Sequence, residues 1–393
     1  MRIAESSGQG ARLLFLVNVS WFFLSHRFEL AKAARNAGYD VHVATEICSE
    51  EDARTIRAAG LTLHDVPFGR GVSRPWSDVS ALLASRRIMR RLRPDIVHTV
   101  GLKPLVIGGV AGRLAHAPNF VMAITGLGHS FVGTTWFSRL RRGLVKKVLH
   151  IATEHPRSAV IFQNVEDLQA FVKEGIVPRD DARLIRGSGV DLDRFTYVPE
   201  QAGAPRVLLA SRMLRTKGVP EFVAAARELK ARWPEAQFLL AGDPDPGNPA
   251  SLDARELADL NAEGVVRWLG HCNDLASLFR EVHVVVLPTY YKEGVPKVLI
   301  EAAASGRPIV TTDTPGCNDI VRDGVNGLLV APRDVVQLVR ALERLLADAS
   351  LRHRLGEQGR RLAEAEFSLD SVIASTLSIY GTLRTGQTSV GTA

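Results

Sequence analysis

The chain has 393 residues, 46% hydrophobic and 23% charged, the composition of a globular protein long enough for two domains. Its three cysteines, Cys48, Cys272 and Cys317, sit at neither CxxC nor metal-ligand spacing; neither a disulfide framework nor a zinc site is supported, and a reducing cytoplasm is the simplest setting. The net charge of +7 is uneven, with 21 Lys and Arg against 10 Asp and Glu in residues 1–150 and 28 against 32 in the remainder, so the first half is expected to meet something anionic.

In chain order, the first apolar run is "LLFLVNVSWFFL", Leu13–Leu24. Asn18 and Ser20 interrupt it and no small-residue cleavage site follows, so a buried strand plus a loop is expected rather than a membrane span or a leader. Further strands are predicted at Val41–Thr45, Leu61–Val66, Ile96–Val100, Phe120–Thr125, Ala159–Gln163 and Arg183–Arg186, with amphipathic stretches such as Arg27–Asn36 and Val79–Leu92 between them. Alternation of this kind predicts a parallel sheet covered on both faces. "YVPEQAGAP", Tyr197–Pro205, has the composition of a linker. The pattern then restarts, with strands at Val207–Ala210, Phe238–Ala241, Val265–Leu269, His283–Leu287, Ile309–Thr312 and Gly327–Val330. Helices are predicted at Val219–Trp233, Ser251–Ala262, Leu275–Arg280, Pro296–Ser305 and Val335–Asp348. The fold class is thus α/β, with two doubly wound Rossmann-like domains, 1–196 and 206–366, joined by a linker at 197–205. A C-terminal helix at 367–384 is expected to cross back to the first domain, and a Gly/Ser/Thr-rich tail, 385–393, to be disordered. Open parallel sheets bind ligands at the carboxyl ends of their strands. The expected site is therefore the cleft between two such domains.

Two strand ends carry the chemistry. After "HVVVLP", a short loop leads to Gly294-Val295-Pro296, where a proline suited to the first helical position opens a helix. The free N–H groups and dipole of that helix end form an anion site. Glu293 lies just before it. Glu301 lies five residues in, about 7–8 Å further along. One carboxylate before the anion site and one beyond it match a nucleoside diphosphate sugar, because a carboxylate accepts two hydrogen bonds from a vicinal diol. The spacing of the two acids alone would arise by chance. The other strand end is "ASRMLRTKGVPEF", Ala210–Phe222, where Arg212 and Lys217 flank a short turn and can neutralise a diphosphate.

These segments resemble the retaining glycosyltransferases of family 4, which have the GT-B fold. The resemblance is carried by "GSGVDLDRF", "SRMLRTKG", "FLLAGDPD", "VVRWLGHCND" and "VVVLPTYYKEGVPKVLIEAAASGRPIVTTDTPGCNDIVRDGVNGLLV", in that order. In the first half, "NVSWFFLSHRFELAKAARNAGYDVHVAT", "DIVHTVGLKPLVIGG" and "ITGLGHSF" are similar to members that extend sugars on a polyprenyl diphosphate during surface-glycan assembly. The resemblance implies a UDP-sugar donor, with Glu301 on its ribose and Glu293 on its sugar. Gly294, Val295, Pro296, Lys297 and Val298 would meet phosphate and sugar through their backbone. Arg212 and Lys217 would stabilise the departing diphosphate. No metal and no cofactor is implied, and retention would follow a front-face path in which the departing phosphate oxygen takes the acceptor proton. The first domain would face the acceptor and the membrane, and the second would bind the nucleotide sugar. Two departures stand out: "VNVSWFFLSH" replaces the family's glycine pair, and Ile124-Thr125-Gly126 replaces its strand-end histidine. His129, three residues beyond, and His26 are the candidate cleft histidines, and Lys103 in "GLKP" is the candidate cation for the acceptor diphosphate.

Two segments hold much of the excess charge, "SRRIMRRLRP" (Ser85–Pro94) and "TTWFSRLRRGLVKKVLHIA" (Thr134–Ala152). The second reads as a basic amphipathic helix for an anionic membrane surface. Nucleic acid is not expected as a partner, because the basic residues are not interleaved with stacking aromatics. The expectation is a cytoplasmic enzyme, peripheral on the inner face of the plasma membrane. It would move a hexose or N-acetylhexosamine from a UDP-sugar to a polyprenyl-diphosphate-linked saccharide. Its rivals are a sugar-nucleotide epimerase or hydrolase of the same architecture and a non-catalytic glycan-assembly partner.

Overall fold

The computed structural model describes residues 10–69, 75–126, 146–155, 157–291 and 294–386. Glu293, His129, residues 134–145 of the second basic segment and the tail from 387 lie outside them. The chain divides into two compact units, one formed by residues up to Ser188 together with those from Val372, the other by Gly189–Ser371.

Unit 1 is built on seven parallel strands, β1 (Arg12–Val19), β2 (Asp40–Glu46), β3 (Thr62–Asp65), β4 (Ile96–Val100), β5 (Phe120–Ile124), β6 (Ser158–Phe162) and β7 (Ala182–Leu184), in the order β3-β2-β1-β4-β5-β6-β7. The central strands read as unbroken apolar runs because helices cover both faces. Leu14, Leu16, Val97 and Met122 fill one side, and Leu13, Phe15, Val43 and Val121 the other, all essentially buried. β1 leads not into a loop but directly into helix α1 (Ser20–His26), which corrects the expectation for Leu13–Leu24. Tertiary contacts decide this: Phe23 packs edge-on against Phe15, and the buried Ser20 hydroxyl donates to Asp52 at 2.5 Å while accepting from the Cys48 amide. Helices α2 (Phe28–Asn36), α3 (Glu50–Ala58), α4 (Pro75–Leu92), α5 (Leu102–Ala115), α6 (residues 146–153) and α7 (Val165–Lys173) follow.

Unit 2 has six parallel strands, β8 (Arg206–Ala210), β9 (Gln237–Ala241), β10 (Arg267–Trp268), β11 (Val284–Leu287), β12 (Ile309–Thr312) and β13 (Gly327–Val330), in the order β10-β9-β8-β11-β12-β13. Its helices are α8 (Val219–Lys230), α9 (Ala254–Ala262), α10 (Leu275–Glu281), α11 (Lys297–Ala304), α12 (Cys317–Ile320), α13 (Val335–Ala347) and α14 (Ala349–Glu366). Several boundaries differ from the sequence expectation, three of them for a visible local reason. β10 shrinks to two residues because it is an edge strand paired only with β9. α9 starts at Ala254 because Asp253 and Glu256 form a reciprocal capping box. α11 starts at Lys297, with Pro296 in extended geometry (ψ 122°) as its cap.

The segment 197–205 is fastened into unit 2. The Arg352 guanidinium grips Glu200 through two hydrogen bonds of 2.7 and 2.8 Å, and the buried Arg307 binds the carbonyls of Val198, Val282 and Ser305. The last helix, α15 (Leu369–Thr385), belongs to unit 1 from Val372 on. There Tyr380 is buried and shares a 2.5 Å hydrogen bond with His98 of β4, whose imidazole burial holds well below its ordinary pKa.

Candidate active site

In unit 2 the strand order reverses between β8 and β11. Their carboxyl ends therefore form the topological switch point of the sheet, where such folds bind ligands. The loops leaving these two strands carry the predicted residues. After β8 comes Arg212, then a single 3-10 turn, Arg215–Lys217, that ends on Lys217. After β11 the chain passes Thr289 and Tyr290 and enters α11.

Backbone contacts knit the loops together. The Thr216 carbonyl accepts from the Tyr290 amide at 3.1 Å and from the Thr289 hydroxyl at 3.0 Å. The Thr312 hydroxyl, at the end of β12, donates to the Thr289 carbonyl. Gly218 sits in the left-handed region (φ 80°), and a Cβ there would stand 2.3 Å from the Pro288 carbonyl oxygen. Only glycine serves here, for conformation and for space. Gly242, after β9, does the same against β8: a Cβ would meet the Ser211 carbonyl at 1.8 Å.

Gly294, Val295 and Pro296 are buried, and Lys297 and Val298 half-buried, at the start of α11. The Leu299 and Ile300 amides turn back to the Pro296 carbonyl. The Val298 amide has no backbone acceptor among the described residues, which leaves it, with the helix dipole, for an anion. Glu301 follows one turn along α11 and is 6% exposed. Burial raises its pKa above the usual carboxylate range, and the Lys297 ammonium, 3.4 Å away, and the Arg194 guanidinium oppose that without cancelling it. Paired with Lys297 on one side, the carboxylate keeps further lone pairs that can accept hydrogen bonds.

Arg212 pairs with Asp245 of the loop after β9 at 2.6 Å, with the guanidinium half-exposed. Arg212 and Lys217, on the loop after β8, and Glu301, on α11, thus follow the two switch-point strands of one sheet. In unit 1, Lys103 stands on the first turn of α5, just past β4, ion-paired to Asp78 of α4 at 2.7 Å. His26 ends α1, stacked on Phe22 with ring centres 4.1 Å apart and bonded to the Ser25 hydroxyl at 2.5 Å. β1 and β4 are neighbours across that sheet's own reversal, so both residues follow its switch-point strands.

Three neighbours escape a motif reading. Arg194, in the segment before the sheet, adds its positive charge to the field around Glu301. Asp245 neutralises Arg212. Arg333, after β13, lies over the Tyr290 ring at 4.1 Å with a left-handed backbone (φ 63°) rare outside glycine. That backbone is a signal a structure gives and a sequence does not.

Residues 204–348 match the family model described as glycosyl transferases group 1, and residues 12–163 the model glycosyl transferase 4-like. The N,N'-diacetylbacillosaminyl-diphospho-undecaprenol alpha-1,3-N-acetylgalactosaminyltransferase of Campylobacter jejuni is 26% identical over 88% of this chain and 92% of its own. The UDP-Gal:alpha-D-GlcNAc-diphosphoundecaprenol alpha-1,3-galactosyltransferase of Escherichia coli is 26% identical over 70% of this chain and 72% of its own. Among solved structures, HepE of Anabaena, crystallised with UDP and glucose, superposes with a TM-score of 0.72 at 19% identity, covering 93% of this chain and 99% of that one.

Proposed function

Because the chain belongs to the group 1 glycosyltransferases, with a first half of the family 4-like type and the GT-B fold, we propose that it transfers a hexose or N-acetylhexosamine from a UDP-sugar, with retention, to a polyprenyl-diphosphate-linked saccharide in surface-glycan assembly. The observation that carries the donor half of this reading is the β8/β11 switch point. It joins a cationic turn, a helix N-terminus and a buried carboxylate in the order that leaving diphosphate and ribose require. The acceptor half rests on the two undecaprenyl-diphosphate relatives and on Lys103 beside the end of β4.

The roles follow from charge. Glu301 accepts the ribose diol. The amides at the start of α11 and the Lys217 ammonium take up negative charge as the glycosidic bond to phosphate breaks, with Arg212 joining them when it leaves Asp245. Glu293 contacts the donor sugar. The departing phosphate oxygen removes the acceptor proton on the same face, so neither His26 nor His129 is required as a base. The enzyme works as a peripheral protein on the cytoplasmic face of the membrane that holds its acceptor.

A panel of UDP-sugars tested by thermal stabilisation of the purified chain identifies the donor, and one sugar is expected to raise the melting temperature more than UDP does. Glycan production by a strain carrying Glu293→Ala is expected to fall steeply; undiminished production would remove Glu293 from the reaction. Release of free or altered sugar from the donor at the full turnover rate, with no lipid acceptor present, would replace transfer by hydrolysis or epimerisation.

A further inference from the structure

Arg27 is a cation turned into the core of unit 1. It stands between α1 and α2, where its amide closes α1 on the Phe23 carbonyl, and it is 5% exposed. Its Nη1 donates to the His26 carbonyl at 2.9 Å, while its Nε is buried without an acceptor. Among the described residues no carboxylate pairs with it. Burial pulls its pKa down to about 10, which still leaves it charged at neutral pH. A buried charge without a counter-charge is costly. The Arg27 charge is felt at His98 of β4 and at the Tyr380 hydroxyl of α15, both buried. The hydroxyl meets Nδ1 of His98 at 2.5 Å. It donates there, because its own proton would otherwise lack an acceptor, and so the imidazole proton sits on Nε2. That Nε2 is likewise buried without a partner. Two N–H donors, on Arg27 and His98, are thus shut away from water with nothing to accept from them, beside an uncompensated positive charge. Buried polar groups left in this state are rare and call for an occupant.

We propose that a small monovalent anion of chloride size binds here, accepting the hydrogen bonds of Arg27 Nε and His98 Nε2 and supplying the charge that no carboxylate provides. The donor set selects the class of ligand. Both groups donate and neither accepts, so a cation is excluded. One guanidinium is charged while burial holds the imidazole well below its ordinary pKa, so a single negative charge balances the site. Water could take the same two hydrogen bonds, but it would leave the guanidinium uncompensated. The surroundings are otherwise aromatic: Phe15 stacks on His98 with ring centres 5.0 Å apart, and Tyr39 packs edge-on to Tyr380 at 5.8 Å. The anion would fasten three parts of unit 1 at once. His98 belongs to β4, Arg27 to the corner of α1 and α2, and the bond from His98 to Tyr380 carries the hold to the returning helix α15. Through the His26 carbonyl it also fixes the end of α1. The site stands independently of the transfer reaction.

The test uses the full chain, melted at constant ionic strength while sodium gluconate is exchanged stepwise for sodium chloride or sodium bromide. The melting temperature of wild type is expected to rise by about 5–10 °C once halide reaches a hundredfold excess over its dissociation constant, because the ion binds only the folded state. Amide exchange in α1 and α15 should slow in parallel. Arg27→Met keeps the length of the side chain but removes the charge and the donor, and it is expected to melt at the same temperature in either salt. An equal halide response in wild type and Arg27→Met would overturn the proposal by placing the effect at another site, and a wild type indifferent to halide would overturn it directly. Crystals of wild type grown in bromide need no variant: an anomalous peak is expected within hydrogen-bond distance of Arg27 Nε and His98 Nε2. Density there with no anomalous signal would identify a water instead of an anion and overturn the proposal, as would bromide peaks found only elsewhere.

Discussion

Glu301 is a carboxylate whose burial works against its own charge, and that makes its protonation a reporter of the site. Burial raises its pKa, so as pH falls it takes up a proton before an ordinary glutamate does and loses the capacity to accept both of the proposed ribose hydrogen bonds. Nucleotide affinity, measured by calorimetry, is therefore expected to weaken on acidification at pH values above the ordinary glutamate range. Glu301→Gln should bind on the order of tenfold or more weakly at neutral pH and lose that pH dependence. In the proposed reaction Lys217 acts later, on the leaving group. Lys217→Ala should lower kcat by about 10²–10³ while KM moves less, the pattern of a contact made in the transition state; equal losses in binding and turnover would place it in ground-state binding. The placement of Glu301, Lys217 and Arg212 after β8 and β11 was readable from sequence, because each belongs to a local strand-turn-helix pattern. Asp245 and Arg333 were not, since each meets its partner from a loop far away along the chain.

At the level of elements, apolar runs located the central strands such as β1, β5, β8 and β11, because a strand buried on both faces is largely apolar. Sequence was weaker where tertiary contacts outrank local preference: α1 exists because Phe23 and Ser20 find partners inside unit 1, and β10 is short because it has one neighbour. The β8 and β11 loops are joined at Gly218 and at the Thr216 carbonyl, and that junction is a second thing a motif does not show. Gly218→Ala should cost more than ~2 kcal/mol, combining the left-handed backbone penalty with displacement of the Pro288 carbonyl. A denaturant titration gives the stability loss. Single-turnover kinetics should show slower transfer as well, since moving one loop moves Lys217 away from α11. Loss of stability with unchanged transfer would mean that the two loops act independently.

For the molecule as a whole, two doubly wound sheets and a returning last helix were expected and two units were found, but the joint looks different from its composition. The Pro/Gly/Ala-rich stretch 197–205 reads as a free linker, yet Arg352 and Arg307 bind it into unit 2. Burial works to raise the Glu200 carboxyl, and the hydrogen bonds and charge of Arg352 outweigh it and hold the pKa below the usual value. A depressed acid contributes stability above its unfolded pKa, and that contribution is lost as pH falls through the folded one. Glu200→Gln should therefore lower stability by about 2 kcal/mol at neutral pH, from an arginine left poorly paired. The gap between variant and wild type should close in acid, below the ordinary carboxylate range. A gap of the same size at low pH would show that packing and not charge holds the segment.

The return of α15 to unit 1 has a consequence for synthesis. A ribosome releases β1 and β4 early, but the residues that cover them, Val372 and Tyr380 among them, emerge only after all of unit 2 has been made. At ordinary elongation rates that delay is roughly ten to forty seconds. Throughout it His98 is without its Tyr380 partner, so unit 1 completes its core only after unit 2 has been made.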